Sequence, residues 1–281
     1  MIWLNGANYF LKYYIAKKIM DLFPVKSYLN YLLKARHYKG HGIHSPFMFE
    51  LVSEVLWEKH PFYSFSLINA YRKKLLESDK VINVTDLGAG SHKLNSRKRK
   101  VADICRSSAI RKKYGEFLFR LVSRYKSKTI VELGTSLGVS TMYLAMPGKN
   151  NKVVTIEGCP ETAAVAREGF EAYGLENVES LTGRFTDVLP GVLEKIGTID
   201  LLFVDGHHEK EATIDYFNLC KKNAGNDSIF IFDDIHWSKG MEEAWEIIHN
   251  DKDVTVSADL YQLGLVFFCK ECKKQHYVIR F

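Results

Sequence analysis

Apolar residues change their period along this chain near Lys128. Before that point they recur at helical spacing, as in "FMFELVSEVLWEKH" and "YGEFLFRLVSRY", with turn clusters "KGHGIHSP" and "LGAGSHKLNS" between such runs. The pattern predicts an N-terminal, mainly α-helical extension. From Thr129 onward, short apolar runs alternate with amphipathic segments: "TIVEL" then "GVSTMYLAM", "KVVTIE" then "PETAAVAREGFEAYG", "NVESLTG" then "TDVLPGVLEKIG", "IDLLFVD" then "EKEATIDYFNLCKK", "SIFIFDD" then "KGMEEAWEIIHN". Two β-like runs without an intervening helix follow, "DVTVSADL" and "YQLGLVFFC", and "HYVIRF" is a candidate for one more. Continuous apolar runs alternating with helices predict buried parallel strands joined by right-handed crossovers, here closed by an antiparallel pair. The expected fold is a doubly wound α/β sheet.

Length and charge refine this picture without changing it. At 281 residues the chain is one large domain or one domain with a sizeable extension. The net charge is +6, with the basic excess in the first 128 residues, including Lys93, Arg97–Lys100 and Arg111–Lys113, and a net acidic remainder. Such a front half could favour nucleic acid, an anionic substrate or a membrane surface; solvated charge is the default reading. Five scattered cysteines make no disulfide framework and suit reduced thiols in a cytoplasm. Cys269, Cys272 and His276 have metal-like spacing but lack a second cysteine pair, which disfavours zinc. The opening "MIWLNGANYFLKYYIAKKIMDLF" is apolar but broken by Lys12, Lys17, Lys18 and Asp21. It reads as an amphipathic helix, with no transmembrane span and no signal-peptide pattern. "HGIHSPF" (His41–Phe47) reads as a turn packed on the α/β part, its proline starting a helix.

Ligands of open α/β sheets bind beyond the carboxyl ends of the strands, so the residues ending each strand matter most. They are Glu132 with Gly134 and Gly138, Glu157 with Gly158, Asp205 with His207 and His208, and Asp233 with Asp234. The run from Gly134 to Gly138 allows a tight turn and close backbone approach at a helix start. Glu157 ends the next strand 19 residues beyond Gly138, the spacing of an acid that accepts both hydroxyls of a ribose. A rival glycine loop, Asp86–Ser91, is followed by the basic, turn-like "HKLNSRKRK" and by no strand ending in an acid. It reads as a loop of the extension. Dinucleotide binding wants a third glycine that Gly134–Gly138 does not supply.

These residues resemble the class I S-adenosylmethionine-dependent methyltransferases over about Tyr114–Phe281. "VELGTSLGVSTMYLA" is similar to that family's first motif, "VVTIEGCP" to its second, and "GRFTDVLP" to the stretch flanking the adenine. The resemblance implies a Rossmann-like, seven-stranded sheet with a reversed last strand over 114–281, and a helical extension or lid over 1–113. It implies S-adenosylmethionine contacts from Glu132, Gly134, Thr135, Ser136, Gly138, Ser140, Glu157, Gly158, Arg184, Phe185 and Asp205. Within the superfamily the likeness is strongest to the metal-dependent catechol and caffeoyl-CoA type O-methyltransferases. Asp205, Asp233 and Asp234 then stand where a divalent cation such as Mg²⁺ is held, with Asp234 in place of an Asn. Asp205 and His208 are the implied catalytic pair, with His208 in place of the family's Lys base.

The expected activity is O-methylation of a small-molecule hydroxyl, assisted by a cation. Alternatives are an RNA methyltransferase using the basic front half, against which no amino-methylation motif appears, and a non-catalytic S-adenosylmethionine-binding protein. A nicotinamide oxidoreductase stands further off. His207 and His236 are secondary candidates for metal or substrate, and Trp237 reads as a core anchor. Expected partners are a small-molecule acceptor, with room left for a homodimer.

Overall fold

The computed structural model describes residues 22–85 and 96–281. The opening amphipathic segment up to residue 21 and the glycine run Asp86–Ser91 lie outside the described residues. The front half is helical: α1 (Phe23–Lys34), α2 (Pro46–Glu50) continuing into a wide π-turn over Leu51–Leu56, α3 (Tyr63–Leu76), α4 (Val101–Ser108) and α5 (Lys112–Tyr125). Pro24 lies in the first turn of α1 and Pro46 opens α2, where a missing N–H costs nothing. Ser45 caps α2 by accepting from the Met48 N–H at 3.4 Å.

One element of the front half departs from the helical expectation. β1 (Val81–Thr85) and β2 (Ser96–Lys100) pair antiparallel as a separate ribbon. The run "SRKRK" that reads as a basic turn is therefore a strand. β1 supplies alternating, β-branched residues with Ile82 buried, and the ribbon's outer face keeps lysine and arginine in water.

The second half alternates β3 (Thr129–Leu133), α6 (Val139–Ala145), β4 (Lys152–Glu157), α7 (Pro160–Ala172), β5 (Val178–Thr182), α8 (Phe185–Lys195), β6 (Ile199–Val204), α9 (Lys210–Cys220), β7 (Ala224–Asp233) and α10 (Lys239–Asn250). It ends in β8 (Val256–Asp259), β9 (Leu263–Phe267) and β10 (Gln275–Val278). The strands lie in the order β10-β8-β9-β7-β6-β3-β4-β5. β9 alone runs backwards, inserted antiparallel between β7 and β8. The expected reversed strand is there, and the last β-like run adds an eighth strand by pairing parallel to β8.

Alternation along each strand divides the core between two faces. Ile130, Leu201, Phe203 and Ile231 face the front-half helices and share one cluster with Met48, Leu51, Ile68, Phe117 and Tyr143. Val131, Leu202, Phe230 and Phe232 face α8, α9 and α10. The helices of the extension thus bury the same apolar face that the sheet needs covered. Within this packing Phe47 of "HGIHSPF" meets Phe267 edge-on at 5.0 Å. Phe267 pairs with Ile229, four residues before Asp233 in β7, so that turn packs away from the carboxyl end of the strand. Among the described residues no helix is long and apolar enough to cross a membrane.

Candidate active site

The carboxyl ends of β3, β4, β6 and β7 converge on one edge of the sheet. After β3 the chain turns through Gly134 at φ +106°, Ser136 at φ +47° and Gly138 at φ +78°. A β-carbon on Gly134 would lie 2.0 Å from the carbonyl oxygen of Asp205, so the loop after β3 lies directly against the loop after β6. A β-carbon on Gly138 would meet the Phe170 ring at 2.6 Å, which explains the glycine that opens α6.

Glu157 ties this turn to the next one. Its Oε2 accepts from the Ser136 N–H at 2.7 Å and its Oε1 from the Cys159 N–H at 2.9 Å. Burial raises its pKa, with the backbone donors pulling the other way. Each oxygen keeps a further lone pair, the capacity a pair of sugar hydroxyls would use. Glu132 lies deeper and is fully buried, accepting from Thr155 Oγ1 at 2.6 Å and Thr141 Oγ1 at 2.5 Å. Its position is beneath the loop, with Thr135 and Ser140 buried around it.

Arg184 precedes α8 at its N-cap position and is exposed, while Phe185 meets the rings of His207 at 6.0 Å and Tyr216 at 5.6 Å. His207 turns toward this aromatic group, with Nδ1 2.8 Å from the Tyr216 hydroxyl. It does not join the carboxylates. The β1–β2 ribbon docks beside Glu157: Asn83 donates its N–H and its amide to Glu161 at 2.7 and 2.8 Å, and the Thr85 N–H meets Cys159 Sγ at 3.4 Å.

The acidic residues cluster at the ends of β6 and β7. Asp205 and Asp233 lie within interaction range of each other, and both carboxyls are pushed toward the protonated form. Burial, then the neighbouring charge of Asp234, pushes Asp233 up to about 7. Burial, then Asp233 and Asp234, raises Asp205 as well. Gln262 donates to Asp233 Oδ1 at 2.8 Å and also to Asp234 Oδ1. His208 Nε2 stands 3.9 Å from Asp205 Oδ1 and 3.7 Å from Asp234 Oδ2. Burial lowers the His208 pKa, Asp234 opposing, so the imidazole is neutral at pH 7.

Two secondary candidates fall elsewhere. His236 bridges Glu242 Oε1 at 2.8 Å and Asp259 Oδ2 at 2.9 Å, and stacks on Tyr261 at 5.1 Å. Trp237, read from sequence as a core anchor, is 67% exposed: it lies on the open loop between β7 and α10. The residue that sequence reasoning missed is Gln262. Antiparallel pairing of β9 with β7 sets Leu263 opposite Asp233, and that register delivers the preceding turn to the acids. The terminal antiparallel pair was the available signal.

Carboxylate oxygens are the donors of choice for Mg²⁺ or Ca²⁺, and the repulsion that raises Asp205 and Asp233 is what a cation relieves. Among the described residues, however, no three His, Cys, Asp or Glu side chains converge in an arrangement set to hold a metal ion.

Comparison with known proteins agrees with this geometry. Residues 131–235 match the family model described as a methyltransferase domain. Over 125 residues the chain is 33% identical to a catechol O-methyltransferase of Niastella koreensis, covering 43% of this chain and 55% of that protein. Over 129 residues it is 31% identical to a catechol O-methyltransferase of Mycobacterium tuberculosis, covering 45% and 57%. The chain thus spans about half the length of these curated relatives. Among solved structures, an O-methyltransferase of Bacillus cereus with bound SAH superposes with a TM-score of 0.53 at 21% identity, over 78% of this chain and 96% of that one. An O-methyltransferase of Streptomyces achromogenes with SAM gives 0.51 at 22%, over 57% and 82%. The α/β half of this chain thus has the fold of these methyltransferases, its residues 131–235 match a methyltransferase domain, and it is similar to catechol O-methyltransferases over about 125 residues.

Proposed function

We propose that the protein transfers a methyl group from S-adenosylmethionine to a hydroxyl of a small molecule. The observation that carries this reading is the meeting of Asp205, Asp233, Asp234 and a neutral His208 beside the Gly134 turn. The Gly134–Gly138 loop and Glu157 would hold the nucleoside, Glu157 accepting from the ribose hydroxyls and Phe185 lying along the adenine. Ser136, Gly158 and Arg184 border that space.

Methyl transfer from a sulfonium is an in-line displacement, so alignment and a deprotonated acceptor are the two requirements. His208 Nε2 takes the acceptor's proton as its oxygen attacks the methyl carbon. The carbon–sulfur bond breaks with its electron pair going to sulfur, and S-adenosylhomocysteine leaves neutral at that atom. Asp205, Asp233 and Asp234 would have to draw closer together to hold a divalent cation, since as placed they do not converge on one, with Gln262 keeping the last two oriented. A bound cation supplies Lewis acidity, lowering the pKa of the acceptor hydroxyl. The segment 1–113 acts in this reading as the wall and lid of the acceptor site, since α1 docks on the flank of the acids through Tyr261 and Glu242.

Calorimetric titration with S-adenosylmethionine, with Mg²⁺ and with EDTA, tests the reading alongside transfer of a labelled methyl group to catechol. Micromolar binding and Mg²⁺-dependent transfer lost in Asp233→Ala are expected. Absence of binding in every condition would overturn it.

A further inference from the structure

A cavity of about 680 Å³ opens among the front-half helices, between the Trp57–Phe62 connection, the first turns of α3 and α5, and the C-terminal Phe281. Its location follows from topology. α5 ends just before β3 begins at the amino edge of the sheet, so its first turn, Lys112–Tyr114, lies toward the carboxyl edge. β10 runs parallel to β8 and hence to β7, and Phe281 follows its carboxyl end. The cavity and the acids therefore share one edge of the molecule.

The lining combines aromatic rings with unbalanced positive charge. Trp57, Phe62, Phe65 and Phe281 supply the rings. Lys59, Lys112, Lys113 and Arg120 face only two carboxylates, Glu58 and Glu116. Both acids are engaged. Glu116 stands 3.7 Å from Lys112 and 4.0 Å from Arg120, and Glu58 accepts the backbone N–H groups of Lys59 and His60 at 2.6 and 2.7 Å. Among the described residues, no carboxylate comes within 4.0 Å of Lys59 or Lys113. Lys113 Nζ instead sits 3.9 Å from the centre of the Phe281 ring. The buried indole N–H of Trp57 has no acceptor there either.

We propose that this cavity binds an aromatic ligand bearing a carboxylate, with Lys59 and Lys113 pairing its charge and Trp57 and Phe281 holding its ring system, and that it forms the far end of the acceptor site. The second half of this statement rests on the methyltransferase reading. Tyr114 follows Lys113 at this edge, and its ring meets Phe281 at 5.8 Å. Burial raises the Tyr114 hydroxyl pKa, Arg111 opposes, and the charges of Asp233 and Asp234 add to the rise, so the hydroxyl lies within electrostatic reach of the acids. Burial also depresses the Lys113 pKa, a desolvation that an anionic partner would offset.

The test compares 3,4-dihydroxyphenylpropionate with dopamine, two catechols of opposite charge, by calorimetry on the full chain saturated with S-adenosylhomocysteine. The anion should bind more tightly by roughly tenfold or more, as a charge-assisted pair implies. Lys113→Glu should erase that preference, and the exposed Lys59→Glu should weaken it, which keeps the test sound should one variant misfold. Equal affinities, tighter dopamine, no binding of either, or a preference untouched by both charge reversals would overturn the proposal. Labelled methyl transfer to the same two catechols reads the function separately. Anion binding without transfer would refute O-methylation and leave the cavity assignment standing, whereas transfer without charge preference would do the reverse.

Discussion

Gly134 and Asp205 touch backbone to backbone: a β-carbon on the glycine would lie 2.0 Å from the aspartate's carbonyl oxygen. Gly134 also holds φ +106°, a region that L side chains rarely adopt. Gly134→Ala should therefore push the β3 and β6 loops apart, opening both the proposed nucleoside cradle and the acid cluster. The expected result is loss of S-adenosylmethionine binding by calorimetry, with a stability cost of roughly 1–3 kcal/mol in denaturant unfolding. Retained affinity would mean that the cofactor does not use this turn.

Glu157 joins two loops through its carboxylate, and only acceptors serve there, because both partners are N–H groups. Glu157→Gln keeps the shape but turns one acceptor into a donor facing a backbone N–H. S-adenosylmethionine affinity should fall by roughly tenfold or more, the value of a charge-assisted hydrogen bond. The dissociation constant measures it, and thermal unfolding of the cofactor-free variant separates loop damage from lost ribose contacts.

How much of this site could be read from sequence depends on which contacts follow chain order. In an α/β sheet each strand must deliver its last residue to the same edge, so Glu132, Glu157, Asp205 and Asp233 were legible as a group. Gln262 was less so, since it reaches the acids only through the insertion of β9 between β7 and β8. His236 also looked like a ligand candidate by its place after Asp234. Its two ring nitrogens are taken by Glu242 and by Asp259, which is far away in sequence. The β1–β2 ribbon was hidden because five successive polar residues, Ser96–Lys100, carry no apolar alternation; pairing with β1 makes them a strand.

His208 is held neutral by burial, Asp234 opposing, with its pKa below the ordinary imidazole value of 6.5. A base with a depressed pKa stays unprotonated further into acid. The acid limb of the kcat profile should therefore lie below pH 6.5 and disappear in His208→Gln. That variant should lose about 10²–10⁴-fold in kcat, with its S-adenosylmethionine dissociation constant little changed. An unchanged kcat would remove His208 from the proton transfer.

His236 ties the loop after β7 to α10 and β8, and through Glu242 to Ser27 of α1. Burial opposes its charge, yet the hydrogen bonds and charges of Asp259 and Glu242 outweigh it, so its pKa is raised in the folded protein. The folded state then binds a proton that the unfolded chain releases near 6.5. The stabilisation is full below that pH and is lost as pH rises through the folded value. His236→Gln should accordingly cost about 2 kcal/mol at pH 5.5, the order of one charged hydrogen bond, and less at pH 9. Unfolding curves of both proteins at the two pH values check it. A gap that widens toward pH 9 would show that the imidazole acts as a neutral packing group, and that α1 is held against the site by Tyr28, Tyr31 and Tyr261 instead.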